Sequence, residues 1–198
     1  MAAFGKRGLA GAAKKIRSGS CPGGSFSGSQ TIHPMKSLTI HSDGACQGNP
    51  GPGGWAALLN WNGRVKELSG GEPATTNNRM ELRAAIEALR ILREPCRIEF
   101  FTDSEYLRNG VTRWIKGWKA NGWQTRKELP VKNSDLWREL DRLREGHRID
   151  WKWLKGHAGH PGNERCDLLA REAVAGMRRQ YGPDQLREML RDFNAQVA

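Results

Sequence analysis

The feature that most constrains the fold is an Asn62-Gly63 pair set between two apolar, strand-like stretches, residues 55–61 and 64–69. Asn-Gly accepts two left-handed conformations in succession, so the pair predicts a tight hairpin. Residues 38–43, Leu-Thr-Ile-His-Ser-Asp, read as a further strand before it, so three consecutive strands open a sheet. A helical pattern follows. Thr75, Thr76 and Asn77 are cap candidates, and Met80, Leu82, Ala84, Ala85, Ile86, Ala88, Leu89 and Leu92 supply one apolar side up to about Arg93, with Pro95 ending it. The pattern then alternates: a strand at 97–102, helical stretches at 104–109, 111–120 and 134–144, a strand at 148–154, and a helix capped by Asn163 running to about Ala175. Beyond Gly182-Pro183, Leu186, Met189, Leu190, Phe193 and Val197 recur at helical spacing, which predicts an amphipathic helix docked on the domain. The expected class is α/β.

A chain of 198 residues suffices for one domain with its own core. No apolar run approaches the roughly 20 residues of a bilayer span. Lysine and arginine outnumber aspartate and glutamate 32 to 21, a net charge of +11 that favours a polyanion, nucleic acid ahead of an acidic membrane surface. Four scattered cysteines without a CxxC pair point to reduced thiols in a cytosol-like compartment. Residues 1–35 read as a basic, Gly/Ser/Ala-rich disordered arm without the long apolar stretch of a secretory signal. Patterning starts directly after Met35, which suggests that residue as an alternative translation start. The expected organisation is this arm, a main domain at 36–176 and a C-terminal extension at 177–198.

Two of the strands end alike, in Ser42-Asp43-Gly44 and Thr102-Asp103-Ser104. If they are parallel neighbours, their carboxyl ends bring Asp43 and Asp103 side by side, where ligands of α/β sheets collect. Adjacent carboxylates repel, so such a pair persists by sharing a proton or by binding a cation; oxygen-only ligation suits Mg²⁺ or Mn²⁺. Each Asp is also an ordinary turn residue. Glu81 and Asp167 sit early in their helices, where a favourable dipole end would explain them equally well. The Gly-rich loop 155–163 carries His157, which titrates near neutrality and suits a mobile acid or base. Zinc held by His157, His160 and Cys166 is the weaker reading, since no second close ligand pair completes a known spacing.

These fragments together, from Ser42-Asp43-Gly44 through the Gly-rich turn to Gly54, Thr76-Asn77-Asn78-Arg79-Met80-Glu81-Leu82, Thr102-Asp103-Ser104 and Lys155-Gly156-His157 through Asp167, resemble ribonuclease H of type 1, the bacterial form. The resemblance runs from about Met35 to Ala175. It implies a ribonuclease H-like fold, a five-stranded mixed sheet with strands one to three antiparallel and helices on both faces. It also implies cleavage of the RNA strand of RNA/DNA hybrids, leaving 5′-phosphate and 3′-hydroxyl ends.

Carried over by position, Asp43, Glu81, Asp103 and Asp167 match the family's metal carboxylates, Asp43 between two Mg²⁺ ions, and His157 matches its proton-transfer or product-release histidine. The implied substrate contacts are Asn49, Asn77 and Asn78 in the minor groove, Thr76 and Asn133 at a phosphate, and Trp114, Trp118 and Lys119 in a basic protrusion that engages the DNA strand. Two departures stand out: Ala74 replaces an arginine, and Glu105 a glutamine. The reading is therefore a Mg²⁺-dependent ribonuclease H, a cytoplasmic monomer with no membrane partner. A hybrid-binding module without turnover and a related DNA-processing nuclease are the alternatives.

Overall fold

A computed structural model describes residues 35–156 and 159–197. Residues 1–34 of the arm and His157 therefore lie outside the described residues. Five strands, β1 (Lys36–Cys46), β2 (Gly51–Trp61), β3 (Arg64–Thr75), β4 (Cys96–Thr102) and β5 (Arg148–Trp153), form one sheet in the order β3-β2-β1-β4-β5. β1, β2 and β3 pair antiparallel, while β4 runs parallel to both β1 and β5. The predicted mixed sheet is observed. Asn62 and Gly63 take φ values of 50° and 79°, so the hairpin rests on the two left-handed residues its sequence supplies.

Six α-helices complete the described fold: α1 (Asn77–Arg90), α2 (Glu105–Asn109), α3 (Ile115–Ala120), α4 (Ser134–Arg144), α5 (Pro161–Gln180) and α6 (Pro183–Val197). One sheet face carries the main core, in which Ile40, Ile98 and Phe100 pack against Leu82, Ile86 and Leu89 of α1 and Trp137 and Leu140 of α4. On the other face α5 lies against β1, β2 and β3, with Cys166 and Ala170 on Ala56. That contact is tight because Gly54 has no side chain: a Cβ there would come 2.1 Å from the Ala170 carbonyl oxygen.

Four boundaries differ from expectation. α1 ends at Arg90, three residues early, since Ile91 and Leu92 turn to the core while the chain rises toward Pro95. The stretch 111–120 is a π-helical turn, Gly110–Trp114, followed by α3. Trp137 explains the irregularity: its ring fills the place of a side chain at Gly110, where a Cβ would lie 1.9 Å away. α5 begins at Pro161 with His160 as its N-cap, so Asn163 is not the cap. It also continues to Gln180, through the boundary expected at 176. α6 packs on β3 with Leu186, Met189, Leu190 and Phe193 half-buried.

Gly54→Ala should lower unfolding stability by about 1–3 kcal/mol, because neither the Ala170 backbone nor β2 has room to yield. Gly117→Ala, where a Cβ meets nothing within 4 Å, should be neutral or gain up to about 1 kcal/mol from helix propensity. Urea titration of both variants measures the contrast; equal losses would show that β2 and α5 are not in rigid contact.

Candidate active site

The register of β1 and β4 pairs Ser42 with Thr102, so the next residue of each strand, Asp43 and Asp103, emerges at the same end of the sheet. α1 crosses beneath that end and delivers Glu81 from its second turn. Gly44 permits the approach, since a Cβ there would fall 2.5 Å from the Glu81 nitrogen. Ligand oxygens of Asp43, Glu81 and Asp103 lie within 4.8 Å of one another, in a group of which Asp43 and Glu81 are buried.

The electrostatics follow from burial and like charge. Burial first, and then the Asp103 carboxylate, push Asp43 up to about 7, opposed by the Gly44 N–H that donates to its Oδ1 at 2.7 Å. Glu81 is raised well above the ordinary carboxylate range by its burial and by Asp43 and Asp103. Its Oε2 is buried without a hydrogen-bond partner. Three oxygen donors that repel one another, one of them orphaned, fit a hard divalent cation and offer nothing to a soft one.

Asp167 stands apart from this compact group. Its carboxylate pairs with Arg171 one helical turn later, at 2.8 Å, although its charge still contributes to raising Asp43. The zinc alternative meets an obstacle at Cys166: the thiol is buried, donates to the His41 carbonyl at 3.4 Å and is pushed up to about 12, so it stays protonated.

Asn163 is the site residue that sequence reasoning missed. Starting α5 at Pro161 turns Asn163 inward, where it is buried and its Nδ2 donates to Asp103 Oδ2 at 3.1 Å. The start of α5 is itself held by an aromatic stack: His41 lies 4.9 Å from Phe101 and 4.8 Å from His160, and Gly162 lets α5 touch the His41 ring. The only sequence signal was a polar residue four positions before Asp167, on the same face of the helix.

The expected substrate residues divide into two groups. Asn49, Thr76, Asn78 and Asn133 line one open cleft of about 940 Å³ beside the N-terminus of α1. Asn77 adjoins it, its backbone N–H donating to Asn49 Oδ1 at 3.1 Å. Thr76 Oγ1 is buried without a partner, and Thr76 caps α1 without a side-chain bond. Asn133, left-handed at φ 59°, accepts from Arg79 at 3.4 Å and donates to the Tyr106 hydroxyl at 3.2 Å, which ties the cleft floor to Trp137.

The second group sits on α3 and the turn before it. Trp114 is exposed, whereas Trp118, 5.6 Å from it, is partly buried against the core and 5.4 Å from Trp137. Lys119 is already held by Asp141 at 2.6 Å. Ala74 lines the cleft, and Glu105 opens α2 on the surface without joining the acidic group.

Without bound cations, the unfolded chain ionises Asp43 near pH 3.8 and the folded chain only near 7, so folding stability should fall as pH rises through that window and level off above it. The loss is on the order of a few kcal/mol. Asp43→Asn should flatten this slope and leave the variant more stable than the native chain at pH 8. Thermal unfolding in chelator from pH 4.5 to 8 measures it; a native Tm that climbs across the window contradicts the buried-carboxylate account.

Comparison with known proteins agrees with this geometry. The family model RNase H matches residues 35–175. A protein of Chelativorans sp. (strain BNC1) named Ribonuclease H is 58% identical over 150 residues, covering 76% of this chain and 93% of its own. One of Brucella melitensis biotype 1, named Ribonuclease HI, is 61% identical over 143 residues, covering 72% and 91%. Among solved structures, LC9-RNase H1, described as a type 1 RNase H with the type 2 active-site motif, superposes with a TM-score of 0.67 at 36% identity over 73% of this chain and 75% of its own. With three acids gathered where β1, β4 and α1 meet, and with the family model spanning the whole sheet and α1, the chain belongs to the RNase H family of hydrolases.

Proposed function

We propose that the protein is an endonuclease that hydrolyses the RNA strand of RNA/DNA hybrids in the presence of Mg²⁺, leaving 5′-phosphate and 3′-hydroxyl ends. The observation that carries this reading is the convergence of Asp43, Glu81 and Asp103 within 4.8 Å, next to a cleft rich in amide side chains. Family membership brings dependence on a divalent cation; Mg²⁺, with Mn²⁺ as substitute, fits the all-oxygen donor set. Bound there, a pair of divalent cations would supply activation of the attacking water and stabilisation of the leaving 3′ oxygen.

The chain's own residues divide the remaining work. Asp43, Glu81, Asp103 and Asp167 are the side chains assigned to hold the ions, and Asn163 keeps Asp103 oriented through one carboxylate oxygen while leaving the other free. Asp167 would exchange its Arg171 partner for the site when loaded. His157 is assigned to proton transfer or product release, work that an imidazole side chain suits. Asn49, Asn77 and Asn78 suit a minor groove that must be tested for 2′-hydroxyls, because an amide both donates and accepts. Thr76 and Asn133 suit a phosphate; Trp114 offers an exposed ring, with Trp118 supporting it, and Lys119 would serve the same edge by leaving its Asp141 partner. The setting proposed is cytoplasmic and monomeric. Among the described residues, no helix is long and apolar enough to cross a membrane.

One gel tests the substrate class: RNA labelled at its 5′ end, in RNA/DNA and RNA/RNA duplexes, and labelled DNA/DNA, each with and without Mg²⁺. Cleavage confined to the hybrid and to the Mg²⁺ lanes is expected, whereas cutting of DNA/DNA instead would overturn the assignment. Asp43→Asn should lower the rate by at least about a thousandfold while hybrid binding persists, and His157→Ala should lower turnover by about ten- to a hundredfold at unchanged Tm.

A further inference from the structure

The last turn of α6 reaches the cleft that Asn49, Thr76 and Asn133 line. Phe193, Asn194 and Gln196 form part of its wall, opposite the N-terminus of α1. α6 lies beyond the residues 35–175 that match the family model. Its placement is enforced: Leu186, Met189, Leu190 and Phe193 recur at helical spacing and are half-buried on the side that docks on β3, which leaves Asn194 and Gln196 exposed. The same wall includes Ala74, whose methyl group leaves room between β3 and the helix.

We propose that the last turn of α6 is part of the nucleic-acid-binding surface, contacting the sugar-phosphate backbone of the bound hybrid through the amides of Asn194 and Gln196. This rests on the hybrid-cleaving function proposed above. The occupant follows from continuity and from charge. Asn49, Thr76, Asn78 and Asn133 share one cleft with Phe193, Asn194 and Gln196, so a nucleic-acid backbone held by the first group lies in the same cleft as the α6 turn.

The acids of the cleft are neutralised locally, Asp135 by Arg79 at 2.8 Å and Glu72 by Arg83 at 3.2 Å, while Lys132 lines it with no ion pair among the described residues. The last turn of α6 carries no basic residue, and helix carbonyls end there. That pole disfavours a bare anion, so the contact works through amide N–H donors to backbone oxygens and through the width of the cleft, not through added charge. Its contribution is therefore independent of salt, unlike that of a phosphate-neutralising lysine.

The test uses the full-length chain. Binding of a fluorescent RNA/DNA hybrid is measured in chelator from 50 to 200 mM salt, alongside steady-state cleavage in Mg²⁺. Asn194→Ala with Gln196→Ala, which spares the docking face, should weaken binding about three- to tenfold at every salt concentration, with an unchanged salt slope, a higher KM and the native kcat. Asn194→Glu with Gln196→Glu should weaken it further, by more than Arg187→Glu at the other end of the helix does. Native affinity in the double alanine variant, a tighter complex, or equal losses in the two charge variants would each overturn the role of α6. If the native chain binds and cuts the hybrid, such a result falls on α6 alone; if the native chain does neither, the proposed function fails with it.

Discussion

The structure depends on keeping three mutually repelling carboxylates together in a place mostly closed to water. Asp43 and Asp103 leave parallel neighbouring strands one residue past the Ser42–Thr102 pair, and Glu81 is pressed up beneath them by a helix that can approach only because Gly44 lacks a side chain. Nothing local favours that arrangement. It stands because β1 and β4 are locked by ladder hydrogen bonds and because α1 is anchored by Leu82, Ile86 and Leu89 in the main core. A cation is the natural relief of the repulsion, so the energy stored by the fold becomes affinity at the site.

The surroundings serve the same end on two sides. On one side, the stack of His41, Phe101 and His160 seats the start of α5 so that Asn163 meets Asp103, and burial keeps His41 neutral by pushing its ring down to about 4. On the other, Asn133, Arg79, Tyr106 and Trp137 form a chain of hydrogen bonds from the cleft floor into the core. The cleft and the acidic group therefore share a rigid frame, as a site must when it positions a strand and the reacting bond at once.

How much was legible beforehand differs by element. The hairpin at Asn62-Gly63 and the paired strand endings at Asp43 and Asp103 could be read because each is a local signal whose meaning survives folding. The helix starting before Asn163 could not: Pro161 at the first helical position was as good a signal as an Asn cap, and only the fit of His160 against His41 decides between them. The π turn at Gly110 likewise depends on Trp137, a residue 27 positions away in the chain. Trp114 and Trp118 look alike in sequence, and the core covers the second more than the first.

By itself, the sequence determined the order of the strands and main helices and the excess of positive charge, and it offered the acids as candidates, since periodicity, turn residues and side-chain chemistry are properties of short stretches. Only the tertiary structure decided that three of those acids meet while Asp167 turns to Arg171, that Lys119 is held by Asp141, and that α6 ends in the cleft. Those are distances between residues far apart along the chain. They are set by how the layers pack against one another, and no local pattern carries that information.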